Sequence, residues 1–306
     1  MTSLLFLFFC LVAGALLKKL PAITKEAPLV LNSLLLYVCL PAATLLHASS
    51  MQLSSAYGLP ILMPWLLFGG SWLFFRGLRR FEAFERQTEA VLVLTAGIPS
   101  VSFVGFPLFE LLHGEEGIKV GILMSQAGSF LVCSTLGIFL ASSYANTEAR
   151  RWAFVRDMFR FPPFLSFCVA LGINLLGGEL PDIVLELCRK LAAPFSFLAL
   201  VSIGMQMEFQ PKNSQWKPLL WGLFYKLFLA PLLIFVVFVV VLGKRGSIAE
   251  LCVVGAALGP MNTMAIVAAT YRLNPPLAAQ MVGVGIPLSL LMTGIIVNVL
   301  HWSGYF

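Results

Sequence analysis

The chain is written in long apolar runs parted by short polar breaks. A spanning helix needs about 20 mostly apolar residues. Ten stretches read as such: 2–17, 27–48, 57–76, 88–112, 118–144, 163–178, 183–206, 217–243, 249–271 and 276–300. The predicted fold class is an all-α membrane protein of ten transmembrane helices with short loops. The first run is not a cleaved leader, because Lys18 and Lys19 follow it, whereas a signal peptide carries its positive charge in front.

Composition narrows the class further. Hydrophobic residues make up 59% of the 306 positions and charged residues 11%, against about 45–50% and about 25% in globular proteins. The mean hydropathy is +0.92. So few charges would not cover the surface of a soluble fold. The same arithmetic excludes disorder, collagen and coiled coil. Six cysteines without a CxxC pair or a Cys/His cluster exclude a disulfide scaffold and point to no metal site and no cofactor. No intramembrane protease motif such as HExxH is present, so an enzyme is not expected.

The charges orient the spans. Fourteen of the 20 Lys and Arg lie on or beside the odd-numbered loops, five on the other side, and Lys226 within a span. The positive-inside rule puts the odd loops in the cytoplasm and both termini outside the cell's inner membrane. The net charge of +6 reflects that asymmetry and not a nucleic-acid partner. The longest loop holds RRWAFVRDMFRF from Arg150. It reads as a membrane-surface helix with snorkelling Arg and interfacial Trp152 and Phe159.

The chain also aligns with itself. A shift of 161 residues lays EAVLVLTAGIPSVSF, from Glu89, on the run that begins at Glu250, and Pro99 on Pro260. A shift of 157 lays Gly128 on Gly285 and Gly137 on Gly294. The expected organisation is a first repeat at 1–146, a cytoplasmic interfacial linker at 147–162, and a second repeat at 163–306. Each half has five spans, an odd number, so the second enters from the opposite side and the repeats are inverted.

Paired Gly/Pro-broken helices in inverted repeats mark secondary transporters. Proline lacks an N–H and clashes with the carbonyl four residues back. In hydrocarbon the freed groups must face protein or a water-filled cavity. Two antiparallel helices broken at Pro99 and Pro260 would cross at their breaks and present half-helix N-termini to an anion. Asn262 there reads as a carboxylate donor or a helix cap. Ser100 and Ser102 read as site hydroxyls or as donors to the carbonyl four residues back. Thr263 completes the second break. Lys226 sits well inside a span, where a charge is costly, and reads as dipole-compensating, anion-attracting or snorkelling. Glu89, Glu110, Glu186, Glu208 and Glu250 fall near span ends, none at mid-membrane. That disfavours an acid-pair proton antiporter and a sodium site rich in carboxylates.

These residues carry a resemblance. LPAATLL ending the run from Asn32, GIPSVSFVGFPL from Gly97, GMQMEFQPK ending at Lys212, and GPMNTMAIVAATYRLNPPLA from Gly259 are similar to motifs of the auxin efflux carrier family. The bacterial malate/malonate permease-like members are the better match, because Ser100 stands where plant carriers have Asn and their long central cytoplasmic region is absent. The resemblance implies two inverted five-helix repeats with crossed broken helices, a scaffold of spans 1, 2, 6 and 7, and a transport domain from the rest. It implies transport of small organic anions (carboxylates such as auxin, malate or malonate), a substrate-lining role for Gln126, and a homodimer through the scaffold. The expected function is efflux by an elevator-type movement driven by membrane potential or protons. The alternative is a sodium-coupled organic-anion symporter of the bile-acid type.

Overall fold

The computed structural model describes residues 2–24, 26–51, 54–82, 84–145, 156, 160–206, 215–302 and 304. The predicted linker 147–162 lies almost wholly outside the described residues, as does the GMQMEFQPK run beyond Gln206. Helices dominate everything described. They are α1 (Thr2–Leu17), α2 (Ala27–Ala48), α3 (Gly58–Leu78), α4 (Arg86–Gly97), α5 (101–112) and α6 (115–145). Then follow α7 (Pro162–Leu175), α8 (Asp182–Ala192), α9 (Phe195–Gln206), α10 (Trp216–Val241), α11 (Ser247–Ala256), α12 (Asn262–Thr270) and α13 (Pro275–Trp302). Four helical stretches, Ala27–Ala48, Ser55–Leu78, Trp216–Val241 and Pro275–Trp302, are each long and apolar enough to cross a membrane. So is Val101–Ala145, which Gly114 divides with a positive φ of 58° beside a non-helical His113. A left-handed backbone there is open to glycine without strain.

Several helices widen into π turns, and three of these have a common cause. Leu35–Cys39 precedes Pro41, Val101–Gly105 precedes Pro107, and Tyr225–Leu229 precedes Pro231. In each case the carbonyl four residues before the proline falls inside the widened turn. A wider turn moves that carbonyl off the pyrrolidine ring and keeps the helix continuous. Leu123–Phe130 and Cys133–Gly137 are π-helical without a following proline.

The helices form two compact units, each discontinuous along the chain. The first comprises Met1–Ser54, Ser102–Ile122 and Phe159–Met207; the second comprises Ser55–Val101, Leu123–Met158 and Glu208–Phe306. In the first unit α1 and α9 touch through glycines. A Cβ on Gly14 would strike the Val201 carbonyl, and one on Gly204 the Leu11 carbonyl. Ser202 donates to Asn32 Oδ1 at 2.6 Å, tying α9 to α2. Asn174 Nδ2 donates to the carbonyls of Ser49 and Met51 at 2.9 and 2.8 Å, closing the end of α2. The Ser196 hydroxyl donates to Glu110.

In the second unit α3 packs along α4. A Cβ on Gly97 would collide with Ser71 Oγ, which itself donates to the carbonyls of Phe68 (2.8 Å) and Val93 (3.3 Å). Tyr225 on α10 donates to the Leu67 carbonyl at 2.8 Å. Asn274 begins α13. Its Oδ1 accepts from the Leu277 amide at 3.4 Å and its Nδ2 donates to Thr88 Oγ1 at 3.0 Å.

Candidate functional site

Helix α4 ends at Gly97, and the chain turns extended at Ile98 (φ −119°, ψ 115°). Helix α11 ends at Ala256, and the next helix, α12, starts only at Asn262. The two interruptions meet. Pro99 and Pro260 face each other in an antiparallel β bridge, isolated within the described residues. The Ser100 amide donates to the Gly259 carbonyl at 2.8 Å, and the Met261 amide donates to the Ile98 carbonyl at 3.1 Å. This bridge explains how two broken helices survive in an apolar setting. The extended residues cannot make intrahelical bonds, so each break supplies donors and acceptors for the other.

The bridge is clamped by glycine. A Cβ on Gly285 of α13 would lie 2.8 Å from Pro260 Cδ, and one on Gly259 would lie 2.8 Å from Ile286 Cα. Backbone approaches that close admit only hydrogen in place of a side chain. A Cβ on Gly255 would instead meet Met124 Sδ at 2.7 Å.

The sequence-predicted residues are placed as follows. Pro99, Ser100 and Pro260 are buried in it, and Asn262 and Thr263 open α12, half-buried. The N-cap position of α12 belongs to Met261 and carries no side-chain cap bond. Asn262 is therefore not the N-cap, and the capping alternative is corrected on this point. Ser102 belongs to the first unit and is half-buried.

Gln126 lies in the π-helical Leu123–Phe130 segment, in the same unit as the bridge, and is buried. Its Oε1 has no hydrogen-bond partner among the described residues, and neither has Ser129 Oγ in the same segment. Ser129 was not singled out from the sequence. Its only signal there is the run of polar side chains, Ser125, Gln126 and Ser129, inside an otherwise apolar span. Two buried, unpartnered polar atoms on one widened segment are unusual, since most such atoms are satisfied.

Lys226 also occupies a π turn, Tyr225–Leu229. It is 0% exposed, and its Nζ has no hydrogen-bond partner among the described residues. The snorkelling alternative fails on this burial, because a snorkelling ammonium reaches water.

The carboxylates at the two ends of the broken helices are tied down. Glu89, in the first turn of α4, is 0% exposed, accepts from Arg79 Nη1 at 2.7 Å and from Tyr144 Oη at 2.9 Å. Glu250, in the first turn of α11, is buried with Oε1 3.0 Å from His301 Nε2. A carboxylate in the first turn also complements the helix dipole. No group of three or more His, Cys, Asp or Glu side chains suited to a metal ion occurs among the described residues.

Residues 1–297 match the model of the family described as membrane transport protein. The chain belongs to this auxin efflux carrier-like family. An uncharacterized transporter of Methanocaldococcus jannaschii is 22% identical over 236 residues, covering 74% of each chain. The protein is therefore a multi-pass membrane transporter, and not an enzyme. Its substrate is a small molecule handled within a lipid bilayer. The family match does not favour the sodium-coupled bile-acid-type alternative.

Proposed function

We propose that this transporter moves small organic anions, carboxylates of the auxin, malate or malonate kind, through the crossing of its two broken helices. The observation that carries the reading is the Pro99–Pro260 bridge. It holds the amide-bearing start of α12, a positive dipole end, beside a break whose own backbone is satisfied. Asn262, Thr263, Ser100 and Gln126 supply neutral donors, with Ser102 on the chain just beyond, and Lys226 supplies positive charge in the same unit as the bridge.

The two compact units support an elevator-type mechanism. Spans 1, 2, 6 and 7 fall in the first unit together with 102–122 from spans 4 and 5, and span 3, the bridge and spans 8, 9 and 10 fall in the second. The first would be the scaffold, and the surface for homodimerisation, and the second the moving part. The repeats would be inverted, with both termini outside the inner membrane. An inside-negative potential drives an anion outward by about 2.3 kcal/mol per charge per 100 mV, so efflux needs no coupling ion.

The test is carboxylate binding and counterflow with purified, reconstituted protein. Asn262→Ala weakens binding of the transported carboxylate by about 1–3 kcal/mol, the cost of an unmade buried hydrogen bond, while melting temperature stays near wild type. Normal binding and transport in both Asn262→Ala and Gln126→Ala would remove the crossing as the substrate site.

A further inference from the structure

At the far end of α4 from the crossing, the second unit contains a cavity of about 460 Å³. Its wall holds Arg76 and Arg79 from the end of α3, Arg86 from the start of α4, and Trp72, Phe139 and Tyr144. Three guanidinium groups in one concavity repel one another unless something negative answers them. Glu89 answers only one. It pairs with Arg79 at 2.7 Å, and that bond pushes the Arg79 pKa up, so this arginine stays charged.

Arg76 and Arg86 have no carboxylate partner among the described residues. Each is held instead by an aromatic face. Arg76 lies 5.5 Å from the centre of the Trp72 ring, and Arg86 lies 4.8 Å from that of Tyr144. Stacking of this kind fixes a guanidinium plane and leaves its edge N–H groups available for a planar or tetrahedral oxyanion. The net charge of the wall is three arginines less Glu89, or two positive charges.

The rim is apolar and exposed. Trp72 is 37% exposed and Phe139 is 58% exposed. A ligand matching this cavity carries an anionic head for the arginines and an apolar body for the rim. Phosphate is an oxyanion that forked guanidiniums hold through paired hydrogen bonds. We propose that this cavity binds the phosphate headgroup of an anionic phospholipid, with the acyl chains lying against Trp72 and Phe139. Basic pockets between transmembrane helices take such headgroups. The occupant would sit beside the start of α4, and so would bias the unit that carries the crossing.

The experiment uses full-length protein, purified in neutral detergent and stripped of lipid. Retained lipid is counted by native mass spectrometry, and melting temperature is followed with added phosphatidylglycerol, phosphatidylcholine or inorganic phosphate. Phosphatidylglycerol is expected to be retained and to raise the melting temperature, and the other two to do neither. Losing both free guanidiniums in Arg76→Gln/Arg86→Gln weakens phosphatidylglycerol binding on the order of thirtyfold. Arg80→Gln, an exposed neighbour outside the cavity wall, leaves it unchanged. Should the double variant fail to fold, Arg86→Lys serves. It keeps the charge but loses the fork and the stacking, and it weakens retention partially. Equal retention of phosphatidylcholine overturns the proposal, as does inorganic phosphate binding as tightly as the lipid, or Arg80→Gln matching the double variant.

Discussion

The clamp of α13 on the Pro99–Pro260 bridge makes a sharp prediction, because one helix contains both the test position and its control. Alanine at Gly285 adds a methyl group 2.8 Å from Pro260 Cδ, 3.2 Å from Pro260 Cγ and 3.3 Å from Leu223 Cδ2. The nearest two atoms belong to a rigid ring whose chain is fixed by the bridge, so the contact cannot relax by a rotamer change. Overpacking of this kind costs about 1–3 kcal/mol, and the rigidity of the ring puts Gly285→Ala in the upper half of that range. Alanine at Gly294, nine residues on in the same helix, meets nothing within 4 Å. It gains helix propensity of up to about 1 kcal/mol. The two variants carry the same chemical change, so the propensity gain cancels and their difference of about 2–3 kcal/mol measures the clamp alone. Thermal unfolding in detergent, followed by tryptophan fluorescence, reads both. Gly285→Ala melts several degrees below wild type and Gly294→Ala at or above it. If Gly285→Ala is as benign as Gly294→Ala, α13 does not press on the bridge as described.

Three further outcomes follow from the structure. Lys226→Met leaves the melting temperature of the ligand-free protein unchanged or raised, because a fully buried ammonium without a side-chain partner is replaced by an apolar chain of similar length. Its stabilisation by added carboxylate is lost; a drop in ligand-free stability would instead assign Lys226 to dipole compensation. Tyr144→Phe removes one of the two donors to buried Glu89 and destabilises by about 1.5 kcal/mol, the low end for a bond to a charged group because Tyr144 is half-exposed; an unchanged melting temperature would mean that Arg79 alone satisfies the carboxylate. A membrane-impermeant maleimide added to intact cells labels Gly304→Cys and not Thr147→Cys; the reverse pattern would refute the assigned orientation.

Composition and spacing made most of the helical layout legible. Membrane helices must be apolar over their whole length, so their extents show as runs: Ala27–Ala48, Trp216–Val241 and Pro275–Trp302 each match a run to within two residues, whereas the run 183–206 divides into α8 and α9. The breaks were legible too, since a proline with glycine beside it in a spanning run leaves few alternatives. Glu89 and Glu250, read as span-end carboxylates, each lie in the first turn of an interrupted helix.

Three-dimensional packing decided the rest. That Pro99 and Pro260 join through two backbone hydrogen bonds depends on main-chain groups, which are the same for every residue and leave no trace in the side-chain sequence. The burial of Lys226 was undecidable from one strand of text. A lysine stem can reach water or not depending on its neighbours, and those come from distant segments. The same holds for Ser129, whose hydroxyl is ordinary in sequence and conspicuous only once its surroundings leave it without a partner. Glu89 read as a span-end carboxylate. Its partners lie 10 and 55 residues away, at separations that only the folded chain closes. Local apolar demand thus fixed where helices run, and contacts between remote segments fixed which polar groups end up free to meet a ligand.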